Sequence, residues 1–387
     1  MKVSTETLSN TFIILVGSLL TLVLLEIAAN VYITHFASPE RFSRYASLKQ
    51  IEQRNREQGI RVSHHRYMGY YPTPSWEQGV NRHNSLGYRG EEVDIEKGDG
   101  EFRIICLGGS TTYTSVVQDH RLSYPAQLQN QLHEAGFDNV TVINAGLYDY
   151  TTWESLINFQ FRSLDLEPDM VIVYHAINDI QTRMVWPPEA YHGDNSGERV
   201  ASTGIFTPSL LEYSTLARFL LIKAGMVEPH SSLRRLFITR PETAYIDDFD
   251  EQTTRNTYPS GQFTETTPEE MLKQNPPIFF KRNLENLIAI ADFHDITVIL
   301  STFAYLPVSP EANNRGGSPI FWNAMDEHNQ VIRKVAQATP AHLIDFAMQF
   351  PPDPALYDRD GIHLVEAGAR EKARIFAEFI RDNNLIN

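Results

Sequence analysis

Cysteine is all but missing from this chain: among 387 residues only Cys106 is one. That excludes an intramolecular disulfide and any multi-thiolate metal site. Cys106 lies inside an apolar run, where a thiol behaves as a small core residue. Positive charge is also scarce, with 33 Lys and Arg against 48 Asp and Glu, a net charge of -15. A phosphate backbone demands a basic face, so a general nucleic-acid binder is excluded. His64, His65 and His83 fall close together, but no carboxylate or cysteine recurs near them at ligand spacing, so no metal site is read there. The chain has no internal repeat.

Long hydrophobic runs are absent with one exception. Phe12 to Ile33 is long enough to span a bilayer core at about 1.5 Å per residue. Its one ionisable group, Glu26, should cost about 2.5–3.5 kcal/mol at the bilayer centre. Phe12 to Leu25 holds eleven Leu, Ile, Val or Phe residues, each worth roughly -0.3 to -0.6 kcal/mol, and together they outweigh that cost. Ile27-Ala28-Ala29 is a poor cleavage site, so the segment reads as an uncleaved anchor over residues 12–34 behind a short tail, 1–11. Lys2 precedes it, whereas Arg41, Arg44, Lys49 and Arg54 follow. A bare positive-inside count would leave the large domain in the cytoplasm, but long domains translocate largely regardless of charge.

Residues 35–100 divide in two. The first part, to residue 63, mixes charges with Ser and Gln and predicts a solvated helical stalk. From His64 to Arg89 the texture becomes Tyr, Pro, Gly and Asn, which predicts extended chain with turns, wrapped by its aromatics on the main domain.

Residues 101–387 alternate short apolar runs with helical patterns. Ile104 to Leu107, Val140 to Asn144, Met170 to His175, Ile296 to Ser301 and Ala341 to Asp345 read as five strands. Helices are predicted over Tyr124 to Glu134, Thr152 to Leu164, Ile278 to His294 and Trp322 to Ala338, with a closing helix through Ile380. Such alternation implies parallel pairing: a three-layer α/β/α sandwich on a five-stranded, flavodoxin-like sheet. The rhythm breaks at an insertion, residues 186–275. Within it only Ser209 to Met226 looks helical. Residues 241–275 carry eight acids against two bases, which predicts a surface loop.

Gly108-Gly109-Ser110 follows the first strand, where open α/β sheets place their chemistry. Locally this is a strand-to-helix turn with a serine N-cap. Acyl transfer through serine would need a base and a group to orient it. Asp360-Gly-Ile-His363 can supply both from one loop, with Asp358 as an alternative acid. An oxyanion would need donors, and three candidates stand after three strands: the N–H of Ser110, the N–H of Gly146 and the side-chain amide of Asn178.

In this order the segments resemble the four blocks of the SGNH (GDSL-type) hydrolase superfamily: Gly108-Gly-Ser110-Thr-Thr, Asn144-Ala-Gly146, Ile177-Asn178-Asp179 and Asp360-Gly-Ile-His363. Asn84-Ser-Leu-Gly-Tyr-Arg-Gly90 resembles the lead-in of membrane-anchored bacterial members. Two positions depart from the pattern. Gly109 stands where Asp is frequent, and Ala176 replaces a glycine ahead of Asn178, where its methyl group could narrow the approach. The resemblance implies a serine esterase or acylhydrolase with Ser110 as nucleophile, His363 as base and Asp360 as its orienting acid. The oxyanion would be held by Ser110, Gly146 and Asn178, with no metal or organic cofactor. It also implies an extracytoplasmic domain acting on O-acylated or O-acetylated glycans or lipids near the membrane. O-acyl transfer to a surface polysaccharide by the same residues, or a vestigial site in a glycan-binding or assembly protein, are the alternatives.

Overall fold

The structure, a computed structural model of the full chain, describes residues 5–57, 59, 61–65, 68–194, 210–227, 229, 244–307 and 319–386. Helix Thr5–Val31 opens the chain. One helical stretch among the described residues, Asn10–Phe36, is long and apolar enough to cross a membrane. Its side chains from Phe12 to Leu25 find no protein cover, as Phe12 at 67 % and Leu24 at 58 % exposure illustrate.

The stretch expected as a helical stalk is helical and packs on the end of the first helix. Helices Pro39–Tyr45 and Leu48–Glu57 form it. Phe42 and Ala46 bury against Ile33, making a small core of their own at the end of the apolar helix. Two short hairpins follow: β1 (Val62–His65) with β2 (Gly69–Pro72), and β3 (Glu77–Gln78) with β4 (Asn81–Arg82). Met68 and Tyr70 bury there against Tyr113, Leu147 and Tyr150 of the main domain, so the aromatic wrap is present. His83 lies within it, within hydrogen-bond distance of Thr73 O (3.0 Å) and Tyr113 Oη (2.8 Å). Burial pushes its pKa down to about 4, which leaves it a neutral packing residue at pH 7.

The main sheet holds β5 (Phe102–Gly108), β6 (Val140–Asn144), β7 (Met170–Tyr174), β8 (Thr297–Ser301) and β9 (His342–Ile344). All pairings are parallel, in the order β6-β5-β7-β8-β9. Counting only these strands, the order is 2-1-3-4-5, the flavodoxin-like arrangement. The strands lack polar alternation because helices cover both faces. Ile104 and Cys106 point into one layer with Leu128, Leu132 and Phe376. Ile105 and Leu107 point into the other with Leu284, Leu287 and Ile288. Helices Tyr124–Glu134 and Glu366–Asp382 supply the first set, and Ile278–Phe293 the second.

The reading of residues 241–275 as a surface loop is corrected by the structure. Helices Ile246–Thr254 and Pro268–Gln274 form there. Ala244, Ile246, Phe263, Met271 and Leu272 are buried in the sheet's first layer. The apolar residues are few but most of the described ones are used, while Glu251, Glu265, Glu269 and Glu270 are exposed. Thr267-Pro-Glu-Glu270 is a capping box with proline at the first helical position, a start signal legible in the sequence. The expected helix Ser209 to Met226 is interrupted at Ser214, which caps a shorter helix, Thr215–Lys223. Ser209 and residues 241–243 lie outside the described residues.

Candidate active site

In-register pairing fixes where the loops emerge. Cys106 stands opposite Asn144, and Gly108 opposite Tyr174. The segments after β5, β6 and β7 therefore leave the sheet side by side. Ser110 and Asn178 flank the point where strand order reverses, the usual crevice of such sheets.

Ser110 does not cap its helix, contrary to the local reading of the sequence. Gly109 is the N-cap, and Ser110 is the first residue of the helix Ser110–Tyr113. Its N–H is one of those a helix start leaves without an intrahelical partner. Its Oγ lies 2.7 Å from His363 Nε2. The other ring nitrogen, Nδ1, is hydrogen-bonded to Asp360 Oδ2. That contact fixes the tautomer: Nδ1–H donates to the carboxylate, and Nε2 is left to accept from the Ser110 hydroxyl.

The spacing of three works because Asp360 holds its own loop together. Its Oδ1 accepts from the N–H groups of Ile362 and His363, both at 2.9 Å. Gly361 supplies the turn at φ +69°. Asp358, the alternative acid, contributes its backbone N–H to His363 O at 2.7 Å. Burial works against the charge on Asp360. The hydrogen bond and charge of His363, with the two backbone N–H groups, outweigh it and hold the carboxyl below its ordinary value.

Asn178 is the second residue of the helix Ile177–Arg183, and its Nδ2 donates to Tyr150 O at 2.9 Å. An amide carries two N–H groups, so one remains for a substrate. Gly109 is shaped by this neighbour. A Cβ at position 109 would stand 2.4 Å from Asn178 Nδ2 and 3.2 Å from Tyr150 O, so position 109 has no room for an Asp side chain unless Asn178 moves. Gly109→Ala is expected to lower kcat on a soluble ester by about 10²-fold, the scale of losing one oxyanion donor, with KM little changed. Steady-state kinetics check it. Ala176 imposes no backbone strain: its φ of -167° is open to any residue, and it is buried in the core.

Gly146 permits close approach, since a Cβ there would come within 2.5 Å of Tyr113 N on the short helix that starts at Ser110. Its N–H, expected as an oxyanion donor, is engaged with Asn144 Oδ1 at 3.1 Å. It reaches a substrate only by sharing or releasing that bond.

Sequence reasoning missed two supports. Arg89 is buried and donates to the carbonyls of Tyr113, Thr114, Val117 and Gln118, with its guanidinium over the Tyr113 ring. The lead-in thus clamps the segment that carries Ser110. Its signal was its place in the Asn84–Gly90 stretch that resembles a family lead-in, with no partner for it legible in the sequence.

The second support is a buried cluster beside Asn178. Asp179 accepts from the Thr152 N–H at 3.0 Å and from its hydroxyl at 2.5 Å. Ser155 Oγ lies 2.8 Å from His175 Nε2, and His175 Nδ1 lies 3.7 Å from Asp179. This is a second Ser-His-Asp series, but Ser155 has no exposed surface. Burial drives His175 down to about 3, so it is neutral at pH 7. Burial likewise lifts Asp179 to about 7, against the hydrogen bonds from Thr152. Between about pH 4 and 7 the folded chain keeps a proton that the unfolded chain has released. The Asp179 contribution to stability is therefore full below about pH 4 and lost as pH rises through 7. The unfolding free energy of the wild type minus that of Asp179→Asn should fall across this window and level off above it, as denaturant titrations at stepped pH would show.

Among the described residues no group of three or more His, Cys, Asp or Glu side chains converges as a metal site would require. Serine, histidine and aspartate hydrogen-bonded in series at the carboxyl edge of a parallel α/β sheet form the constellation of a serine ester hydrolase. Residues 106–371, well over half of the chain, match the GDSL-like lipase/acylhydrolase family, and the chain belongs to that family.

Among solved structures it is similar to a lipase/acylhydrolase from Enterococcus faecalis, at 16 % identity over 73 % of this chain and 96 % of that one, TM-score 0.40. It is also similar to a catalytic mutant of an acetylxylan esterase from Geobacillus stearothermophilus, at 14 % identity over 74 % and 95 %, TM-score 0.39. No curated protein sequence matches it. The family assignment rests on the match over residues 106–371.

Proposed function

We propose that this is a membrane-anchored esterase that cleaves an O-acyl or O-acetyl ester of a glycan or lipid through an acyl-serine intermediate. The observation that carries the proposal is the 2.7 Å approach of His363 Nε2 to Ser110 Oγ, with Asp360 on the far nitrogen. Ser110 Oγ attacks the acyl carbonyl while Nε2 takes its proton. The oxyanion is met by the N–H of Ser110 and the second N–H of the Asn178 amide, and by the Gly146 N–H when it is shared with Asn144. Collapse breaks the ester bond, and the departing alcohol takes the proton from His363. Water, deprotonated by the same nitrogen, then releases the acid and restores Ser110. Neither metal nor organic cofactor enters these steps.

The tether is the apolar helix within residues 12–34, and the catalytic unit, 101–387, carries the insertion 186–275 and sits outside the cytoplasm. Residues 1–11 form the tail and residues 35–100 the connection between tether and catalytic unit.

The test uses the full chain in detergent with an acetylated oligosaccharide and an acylglycerol lipid, each with and without an added sugar acceptor. Free acid from one of them is expected. An acyl group found only on the acceptor would instead make the protein a transferase, and no turnover of either would overturn the proposal. Protease added to intact spheroplasts should digest the large domain; protection would reverse the orientation.

A further inference from the structure

Glu26, the one charge in the apolar segment, is not left to lipid. Its Oε1 accepts from the Thr215 N–H at 2.6 Å. Its Oε2 accepts from the Ser214 hydroxyl at 2.7 Å and the Leu216 N–H at 3.1 Å. Asn30, one turn further along the anchor, donates to Thr215 Oγ1 at 3.4 Å. The carboxylate thus takes up the first free N–H groups of the Thr215–Lys223 helix, where the helix dipole also favours negative charge.

That helix is fixed from below as well. Arg218 is buried, paired with Glu212 at 2.6 Å and donating to Ala46 O at 3.1 Å. Phe219 packs on Tyr45 with ring centroids 4.7 Å apart. Yet its outer side carries Leu220 at 54 % exposure, flanked by Tyr213 at 84 % and Met226 at 74 %.

Depth decides what covers that side. A hydrocarbon core about 30 Å thick takes roughly 20 helical residues, which from Phe12 ends near Val31. Glu26 then lies about 7 Å inside the boundary. Amphipathic helices that lie in a membrane surface bury their apolar side to about 5–10 Å, the same depth. The start of the Thr215–Lys223 helix is bonded to Glu26 and must share its level.

We propose that the Thr215–Lys223 helix is an interfacial foot. It lies at the boundary between headgroups and acyl chains of the leaflet where the anchor ends, presses Leu220 and Met226 into lipid, and is held at that level by Glu26. Anchor and foot together fix the height and tilt of the catalytic domain, which a single spanning helix would leave free. The inference rests on the proposed membrane span and not on the proposed chemistry.

The test places an environment-sensitive fluorophore on single cysteines in a Cys106→Ala background, with the full chain in phosphatidylcholine and phosphatidylglycerol vesicles. The sites are Leu220→Cys and Met226→Cys, with Leu20→Cys reporting the span and Phe293→Cys, on the catalytic domain, reporting water. Circular dichroism and a cooperative thermal melt show that each protein is folded. Lipid-borne quenchers should quench positions 220 and 226 at least about twice as strongly as position 293. Adding Glu26→Ala should bring position 220 back to the level of 293. Labels at 220 and 226 that behave like 293, while position 20 is quenched, would overturn the foot alone. A water-exposed label at position 20 would overturn the span and the foot together. Unchanged quenching at 220 in the Glu26→Ala protein would overturn the role given to Glu26.

Discussion

Ser110→Ala is expected to lower kcat on a soluble ester by at least about 10⁴-fold while the protein remains folded. In the proposed route the hydroxyl is the group that bonds the acyl carbon. Without it the imidazole has no proton to take. Little stability depends on it, because a single partly exposed hydrogen bond contributes about 1 kcal/mol or less. Thermal melts of the two proteins should differ by no more than a few degrees. A melt lowered far more than that would show Ser110 to be a structural residue.

Asp360→Asn should cost about 10⁴-fold in kcat, the effect of the same change in another Ser-His-Asp triad. The reason is specific to this loop. Oδ1 of Asp360 is pinned by two backbone N–H groups, from Ile362 and His363. An asparagine must keep its oxygen there and turn its NH₂ toward His363 Nδ1. That makes Nδ1 an acceptor and moves the ring proton to Nε2, facing Ser110, so the ring can no longer act as base. Kinetics on the variant check it; a loss below about tenfold would mean that Asp360 does not set the tautomer.

What could be read in the sequence follows a physical divide. The strands β5 to β8 and the helices Tyr124–Glu134 and Ile278–Phe293 announce themselves because burial on one or two faces imposes an apolar pattern. The Asp360–His363 turn was legible for another reason: a spacing of three is local, and a short loop has few ways to close. Tertiary contacts were not. Arg89 carries no assigned role in the sequence, because its carbonyl partners at Tyr113 to Gln118 meet it only in the fold. Glu26 reads as a cost to a membrane span until a helix start 189 positions away arrives to share its charge. The 241–275 segment was misread because net acidity was weighed above the few buried positions, Ile246, Phe263 and Met271, that hold it to the core.

The central claim is that Ser110 is the nucleophile. A fluorophosphonate probe, applied to the folded full-length protein and located by peptide mass mapping, tests it most directly. One adduct is expected, on Ser110, absent from Ser110→Ala. An intact protein that stays unlabelled, or an adduct on another serine such as Ser155 of the buried second series, would contradict it.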